Sequence, residues 1–385
     1  MRRTADAVVV GGGIHGCAIA YELAARGLSN VVLLERRYLA GGATGRSAAG
    51  VRHQFGTEVN ILLSAASIER FGSLADELGY SAGIDFVQGG YLMLAYGAGQ
   101  IAQLEANARL QKSIDPTNQT VVLSPEEVHD LCPHLQLEGL MGASFNPEDG
   151  HLNPWHATHA YARAAQRLGV EVLRQTQLVG LDVQGDAVIG ARTSAGFIST
   201  PVIVDCAGPH ARNVALMAGI DIPVEPQRHQ ILVTEPVGDF LPMMVISFAH
   251  GTYFKQTPHG SVLMGYGDPD NEVREDNQDA TWQFLEEVVL RVSRQLPLVS
   301  DLRVVRQWAG AYDMTPDSQA ILGGIDGLDG FFVDAGWSGH GLQMAPAAAQ
   351  ALAELIHCEQ PFIKIDSLRS QRFEVGELTP EPACV

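Results

Sequence analysis

The sequence predicts an α/β chain in which a Rossmann-like domain is interrupted by a second, α+β domain built on an antiparallel sheet. Three observations carry this. A glycine-punctuated strand–helix–strand unit opens the chain, and strand-like segments separated by turns fill much of its middle. A second glycine-lined helix start, WSGHGLQMAP, stands near the C-terminus. The first domain is expected over 1–80, 146–215 and 320–385, and the second over 81–145 and 216–319.

DAVVVGGGIHGCAIAYELAARG followed by VVLLE gives a buried strand, a tight turn, a helix stopped at Gly27 and a second buried strand ending at Glu35. Gly11, Gly13 and Gly16 fill the dinucleotide fingerprint, whose Ile14 and His15 begin the helix. The first glycine permits the turn, the second lets backbone approach a pyrophosphate, and the third lets helix pack on strand. The phosphates would meet free N–H groups at the positive helix end. Glu35, about 20 residues on, can accept the hydrogen bonds of ribose hydroxyls. FAD and NAD both satisfy this pattern. No second fingerprint and no C-x4-C redox pair occurs.

The segments DFVQGGYLMLA, PVEPQRHQILVTEP, MMVISFA, TYFKQTPHGSVLMGYG and RVVRQWAGAYDMTP alternate or run apolar between turn residues, and so read as strands of one antiparallel sheet. TPHGS is a hairpin turn, and Thr281 to Leu296 a surface helix ending before Pro297. VDCAGPHARNVA gives a strand and a turn into a helix. The tail GELTPEPACV is expected to fray.

Composition narrows the partners. The chain of 385 residues is 46% hydrophobic and 18% charged, enough to bury a sizeable core. Its formal charge of −19 and pI near 5.0 weigh against nucleic acid and anionic membrane surfaces. No apolar run approaches the roughly 18 residues of a spanning helix. The charged start MRRTADAVVV is not read as a targeting segment, since its apolar run breaks at the fingerprint. Five cysteines without paired spacing point to a reducing compartment, the cytoplasm. His151, His156 and His159 lack a completing carboxylate or cysteine, and no metal site is expected. Neither His53 nor His229 has an evident partner, and Lys255 reads as a strand cation facing solvent.

GGGIHG with Glu35, TGRSAAGVRHQFG, VDCAGPHA, AYDMTPDSQAILG and AGWSGHGLQMAP stand in the order found in the D-amino acid oxidase superfamily of FAD enzymes. The chain most resembles its sarcosine oxidase, glycine oxidase and proline dehydrogenase β-subunit branch. The resemblance implies an FAD-binding first domain and a substrate-binding second one. It implies that Arg36, Thr44, Arg46, Ser47 and Gly50 follow the cofactor, with Leu178 near the adenine and Ala207 and Gly208 near the AMP half. Gly339, His340, Gly341, Leu342 and Gln343 would meet the isoalloxazine, where a helix N-terminus stabilises the negative charge of the reduced ring.

The same resemblance makes Arg52 the partner of a substrate carboxylate and puts Tyr253 and Gln343 in the pocket, with a catalytic role for the His340 ring as the lesser reading. It implies oxidation of the C–N bond of a small amino acid (sarcosine, another N-alkylglycine, glycine or proline) by hydride transfer to flavin N5, giving an imine that hydrolyses. The sequence also departs from single-subunit sarcosine oxidases. Gly310 stands where they tether FAD through cysteine, so the cofactor is expected to be non-covalent. Gln343 and Leu263 replace two of their lysines, and Gly267 replaces a histidine. The electron acceptor therefore stays open between O2 and another acceptor, and the chain between a homo-oligomer and the β-like subunit of a heteromeric dehydrogenase. A flavin hydroxylase would carry a Gly-Asp-Ala turn in place of AGWSGHG. A non-catalytic flavin-binding protein is the remaining alternative.

Overall fold

The computed structural model describes residues 2–267 and 277–382. Among them the parallel core of a nine-stranded sheet runs Glu171–Arg174, Val31–Glu35, Ala7–Val10, Ile203–Asp205, Leu328–Ala335. Ala7 and Val9 join the core formed with the helices Ile14–Ala25, Pro154–Arg167 and Gly341–Ile356. Val8 and Val10 join the opposite cluster with Ala211, Val214 and Ala215 of the helix Ala211–Leu216. Both faces are covered, which is why the strand Ala7–Val10 is continuously apolar. Gly27, at φ +99°, stops the first helix: its N–H donates to the Ala24 carbonyl and that of Leu28 to the Leu23 carbonyl, a Schellman closure.

Among the described residues the second sheet has eight strands, ordered Val304–Met314, Glu225–Pro236, Ser261–Tyr266, Thr252–Gln256, Met244–Ser247, Tyr91–Ala95, Gly142–Asn146, Val121–Leu123. Its pairings are antiparallel except where Met244–Ser247 meets Tyr91–Ala95 in parallel. The sequence expectation of a wholly antiparallel sheet is corrected there. Strands 91–146 and 225–314 reach the sheet on separate passes of the chain, so no hairpin dictates the direction of their shared seam. The TPHGS turn closes with Thr257 N–H donating to the Ser261 carbonyl at 2.8 Å, and Gly260 takes φ +91°. The helix Trp282–Gln295, capped by the Thr281 hydroxyl, buries Phe284, Val288 and Val292 on the back of this sheet. Its front, with Tyr91, Met93, Met244, Ile246 and Tyr253, faces the cavities described below.

The tail does not fray where it is described. Glu381 is buried and its carboxylate accepts from the Gly56 N–H (2.9 Å), the Thr57 hydroxyl (2.7 Å) and the Asn60 amide (3.0 Å). An acid placed at the start of the helix Glu58–Glu77 complements its dipole. The residues after Pro382 lie outside those described.

Candidate active site

Two cavities lie between the sheets, with Ser47, Tyr253, Tyr312, Gly339 and Leu342 in the walls of both. The larger, of about 280 Å³, begins at the fingerprint. Gly11 takes φ +114°, and a Cβ there would stand 2.3 Å from the Cys206 carbonyl oxygen. A Cβ on Gly16 would stand 1.9 Å from the Gly11 carbonyl oxygen, so Gly16 lies beneath the cavity and lets helix meet strand. Gly13 caps the helix and faces Thr44, whose hydroxyl accepts the Ile14 N–H at 3.2 Å. Glu35 accepts the Gly12 N–H (2.8 Å) and the Arg37 N–H (2.6 Å), and each carboxylate oxygen keeps a lone pair for another donor.

Arg36, Thr44, Arg46 and Ser47 line this cavity, as do Leu178, Ala207 and Gly208. Arg46 spans the sheets, donating to the Gly41 and Ala309 carbonyls at 3.2 and 2.9 Å. Gly339, Gly341 and Leu342 stand at the far end, where Gly341 opens the C-terminal helix. Gly50, His340 and Gln343 line the smaller cavity instead. The N-terminus of the fingerprint helix, an uncluttered Gly208, an acid at one end and a second helix start at the other fit an elongated dinucleotide such as FAD.

The smaller cavity, about 80 Å³, holds Arg52. This arginine is buried and pinned from several sides. Its amide donates to Gln343 Oε1 at 2.8 Å, its carbonyl accepts the Ser64 hydroxyl, and its guanidinium donates to the Gln54 carbonyl while lying 4.0 Å over the Phe55 ring. Around it stand Tyr91, Tyr253 and Tyr312. Burial pushes the Tyr253 phenol well up, and its hydrogen bond with Tyr312 adds to this. The His340 ring is pushed down to about 3 by burial and by the Arg52 charge, so it is neutral at physiological pH.

The structure adds groups that sequence reasoning left without a role. His229 stacks on Tyr312 at 3.7 Å, and neither of its ring nitrogens has a hydrogen-bond partner; burial pushes its pKa down to about 4. His53 donates its amide N–H to Asp149 Oδ1 at 2.6 Å and pairs its ring with the same oxygen at 2.7 Å, while Gln54 reaches Asp149 Oδ2. Lys255 is not at the solvent: it is buried, and desolvation pushes its pKa down to about 7. Two residues from Tyr253 on one strand, it shares that residue's inward face. Tyr91 and Met244 join Tyr253 only through sheet register, which leaves no local signal in the sequence. His156 pairs with the Tyr80 hydroxyl at 2.9 Å, and among the described residues no group of three or more His, Cys, Asp and Glu could hold a metal.

Comparison with known proteins follows the same outline. A family model described as DAO, FAD dependent oxidoreductase, matches residues 6–355. Sarcosine oxidase subunit beta of Rhodobacter capsulatus is 30% identical over 362 residues, 91% of this chain and 84% of that protein. The crystal structure of L-proline dehydrogenase from P. horikoshii is 34% identical with a TM-score of 0.93, covering 98% of this chain and 100% of that one. Glycine oxidase from Geobacillus kaustophilus, at 22% identity, shares the fold with a TM-score of 0.88 over 96% of this chain and 99% of its own.

Proposed function

Since the chain belongs to the DAO family of FAD-dependent oxidoreductases, we propose that it oxidises the C–N bond of a small amino acid of the sarcosine, N-alkylglycine, glycine or proline type, yielding an imine that water hydrolyses. One observation carries the substrate class. Arg52 is buried and held in the small cavity beside the Gly339–Gly341 turn, where a guanidinium can take a carboxylate in bidentate fashion. When bound, FAD supplies the two-electron oxidant.

In this reading Gly11, Gly13, Ile14 and Thr44 cradle the diphosphate, and His15 and Gly16 support that turn from the fingerprint helix. Glu35 takes the ribose, Leu178, Ala207 and Gly208 flank the adenine half, and Arg36, Arg46, Ser47 and Gly50 follow the cofactor towards the Gly339–Gln343 segment. Arg52 orients the substrate, and the phenols of Tyr91, Tyr253 and Tyr312 form an aromatic wall that strips water from the amine. Desolvation favours the neutral amine, so no strong protein base is needed. His340, neutral and packed against Phe55 and Trp337, shapes this wall and does not act as the base. Holding the reacting carbon at one fixed distance is the main contribution of the chain.

A second reading concerns the acceptor. A relative named subunit beta of a sarcosine oxidase favours a chain that works in an oligomer, and one named L-proline dehydrogenase favours passing electrons to a partner rather than to O2. The cytoplasm is the proposed location. It rests on Cys17, Cys132, Cys206 and Cys358, which are all free thiols. No helix among the described residues is long and apolar enough to cross a membrane.

The test is anaerobic mixing of the purified protein with sarcosine, glycine, proline and N-alkylglycines while the flavin band at about 450 nm is followed. Bleaching by one of them supports the reading, and admission of air then reports whether O2 is an acceptor. A band unmoved by every amino acid rejects it in favour of a non-catalytic flavoprotein.

A further inference from the structure

We propose that His15 is a positioning residue for the flavin site: as an imidazolium it ties the fingerprint helix to the start of the C-terminal helix and presents the cationic end of a buried ion pair to the Gly339–Gly341 turn. The proposal rests on the FAD reading above and adds a role for a side chain that the dinucleotide fingerprint leaves free.

The geometry is specific. His15 Nδ1 lies 2.9 Å from Asp334 Oδ2, and Nε2 lies 2.8 Å from the Gly341 carbonyl oxygen, 326 positions away in sequence. A carboxylate and a backbone carbonyl both accept and neither donates. A neutral imidazole has one N–H, so one ring nitrogen would then face an oxygen lone pair to lone pair. With Asp334 ionised, only the doubly protonated ring satisfies both contacts. The ring also stacks on Trp337 at 4.8 Å, and the Trp337 indole donates to Asp334 Oδ1 at 2.7 Å, which closes a ring of contacts beneath the turn.

Charge accounting agrees. The Asp334 side chain is fully buried and its ion-pair partner is His15. A buried carboxylate left without a cation is strongly destabilising. The other charge that faces the imidazole is Asp313 on the strand Val304–Met314, while the His340 ring at the helix start is neutral. Burial opposes the charge on His15, but Asp334, the Gly341 carbonyl and Asp313 together prevail, and its pKa moves upward. A cation in the first turn of a helix opposes that helix's own dipole. Its benefit must lie elsewhere, and the group it touches is the opening residue of the second helix. There it reinforces the positive end that meets the negative charge of a reduced flavin head, and so raises the reduction potential.

Two measurements test this. In the first, the wild-type apoprotein labelled with 15N-histidine is titrated by NMR between about pH 6 and 8, the His15 signal being assigned by its loss in His15→Gln. A doubly protonated ring throughout is expected, and a neutral tautomer at pH 7 overturns the proposal. In the second, FAD-loaded wild type and His15→Gln are each equilibrated with a reference dye. The variant's oxidised-to-reduced ratio should rise at least ten-fold, a fall of about 30 mV for a two-electron couple, and an unchanged ratio overturns the proposal. His15→Asn supplies the second arm if the glutamine variant does not fold. A wild-type protein that binds no FAD would sink the cofactor reading, a result the NMR titration distinguishes because it uses no flavin.

Discussion

Gln343 Oε1 accepts the amide N–H of Arg52 at 2.8 Å, joining residues 291 positions apart. The C-terminal helix therefore does more than open at the Gly339–Gly341 turn: two residues into it, a side chain fixes the backbone of the cavity's arginine. Cofactor end and substrate end share one rigid part.

Replacing Arg52 by alanine should raise KM for every amino-acid substrate roughly a hundred-fold while leaving the flavin spectrum intact, since charged hydrogen bonds contribute about 1.5–3 kcal/mol each. Gln343→Ala, which frees the arginine without deleting it, should raise KM by about ten-fold, or about 1.4 kcal/mol. Steady-state kinetics decide. An Arg52→Ala enzyme with the wild-type KM would remove this residue from the substrate site.

The fingerprint glycines should separate into two behaviours. At Gly16 an added Cβ would lie 1.9 Å from a backbone oxygen, so Gly16→Ala should lower the melting temperature of the apoprotein. At Gly13 it would meet only the Thr44 hydroxyl, at 3.1 Å, so Gly13→Ala should fold and yet lose FAD. Melting curves and flavin-to-protein absorbance ratios check both. With glycine at position 310, acid precipitation should release the flavin into the supernatant, and colour left on the pellet would contradict a non-covalent cofactor.

Lys255 should make stability depend on pH. Its folded pKa is about 7 against 10.5 for the free group, so between these values the unfolded chain binds more protons and stability climbs as pH rises. From pH 7 to 9 the gain should be about 2 kcal/mol. Below about pH 7 both states carry the charge and the slope vanishes. Urea unfolding at the two pH values should show this gain in wild type and its disappearance in Lys255→Met, with His151, the nearby ring pushed down to about 3, silent throughout the range. Equal slopes in the two proteins would mean the ammonium is solvated.

Glu381→Ala should destabilise the protein by about 1–3 kcal/mol, because it strands the buried Asn60 amide and Thr57 hydroxyl and an N–H at Gly56. Glu381→Gln, which keeps one acceptor, should fall between. Denaturant midpoints measure it. No change on removal of the side chain would return this tail to the frayed state that its composition suggests.

Much here was legible along the chain. The βαβ unit is written contiguously: four apolar residues, a glycine turn, a helix and a closing acid. The physics that forms it acts over a few residues at a time, so Gly11, Gly13, Gly16 and Glu35 could be named without coordinates. The hairpin turn at TPHGS and the helix after Thr281 were readable for the same reason. Tertiary structure alone decided what depends on distant partners. It set the parallel seam between Met244–Ser247 and Tyr91–Ala95, the burial of Lys255 and Glu381, and the stacking of His229 on Tyr312. It also brought the His15 ring between Asp334 and Gly341. A histidine's protonation and a lysine's solvent access are set by whatever atoms surround them after the chain has crossed between its two large sheets. Residues hundreds of positions apart carry no mark of that meeting until it is made.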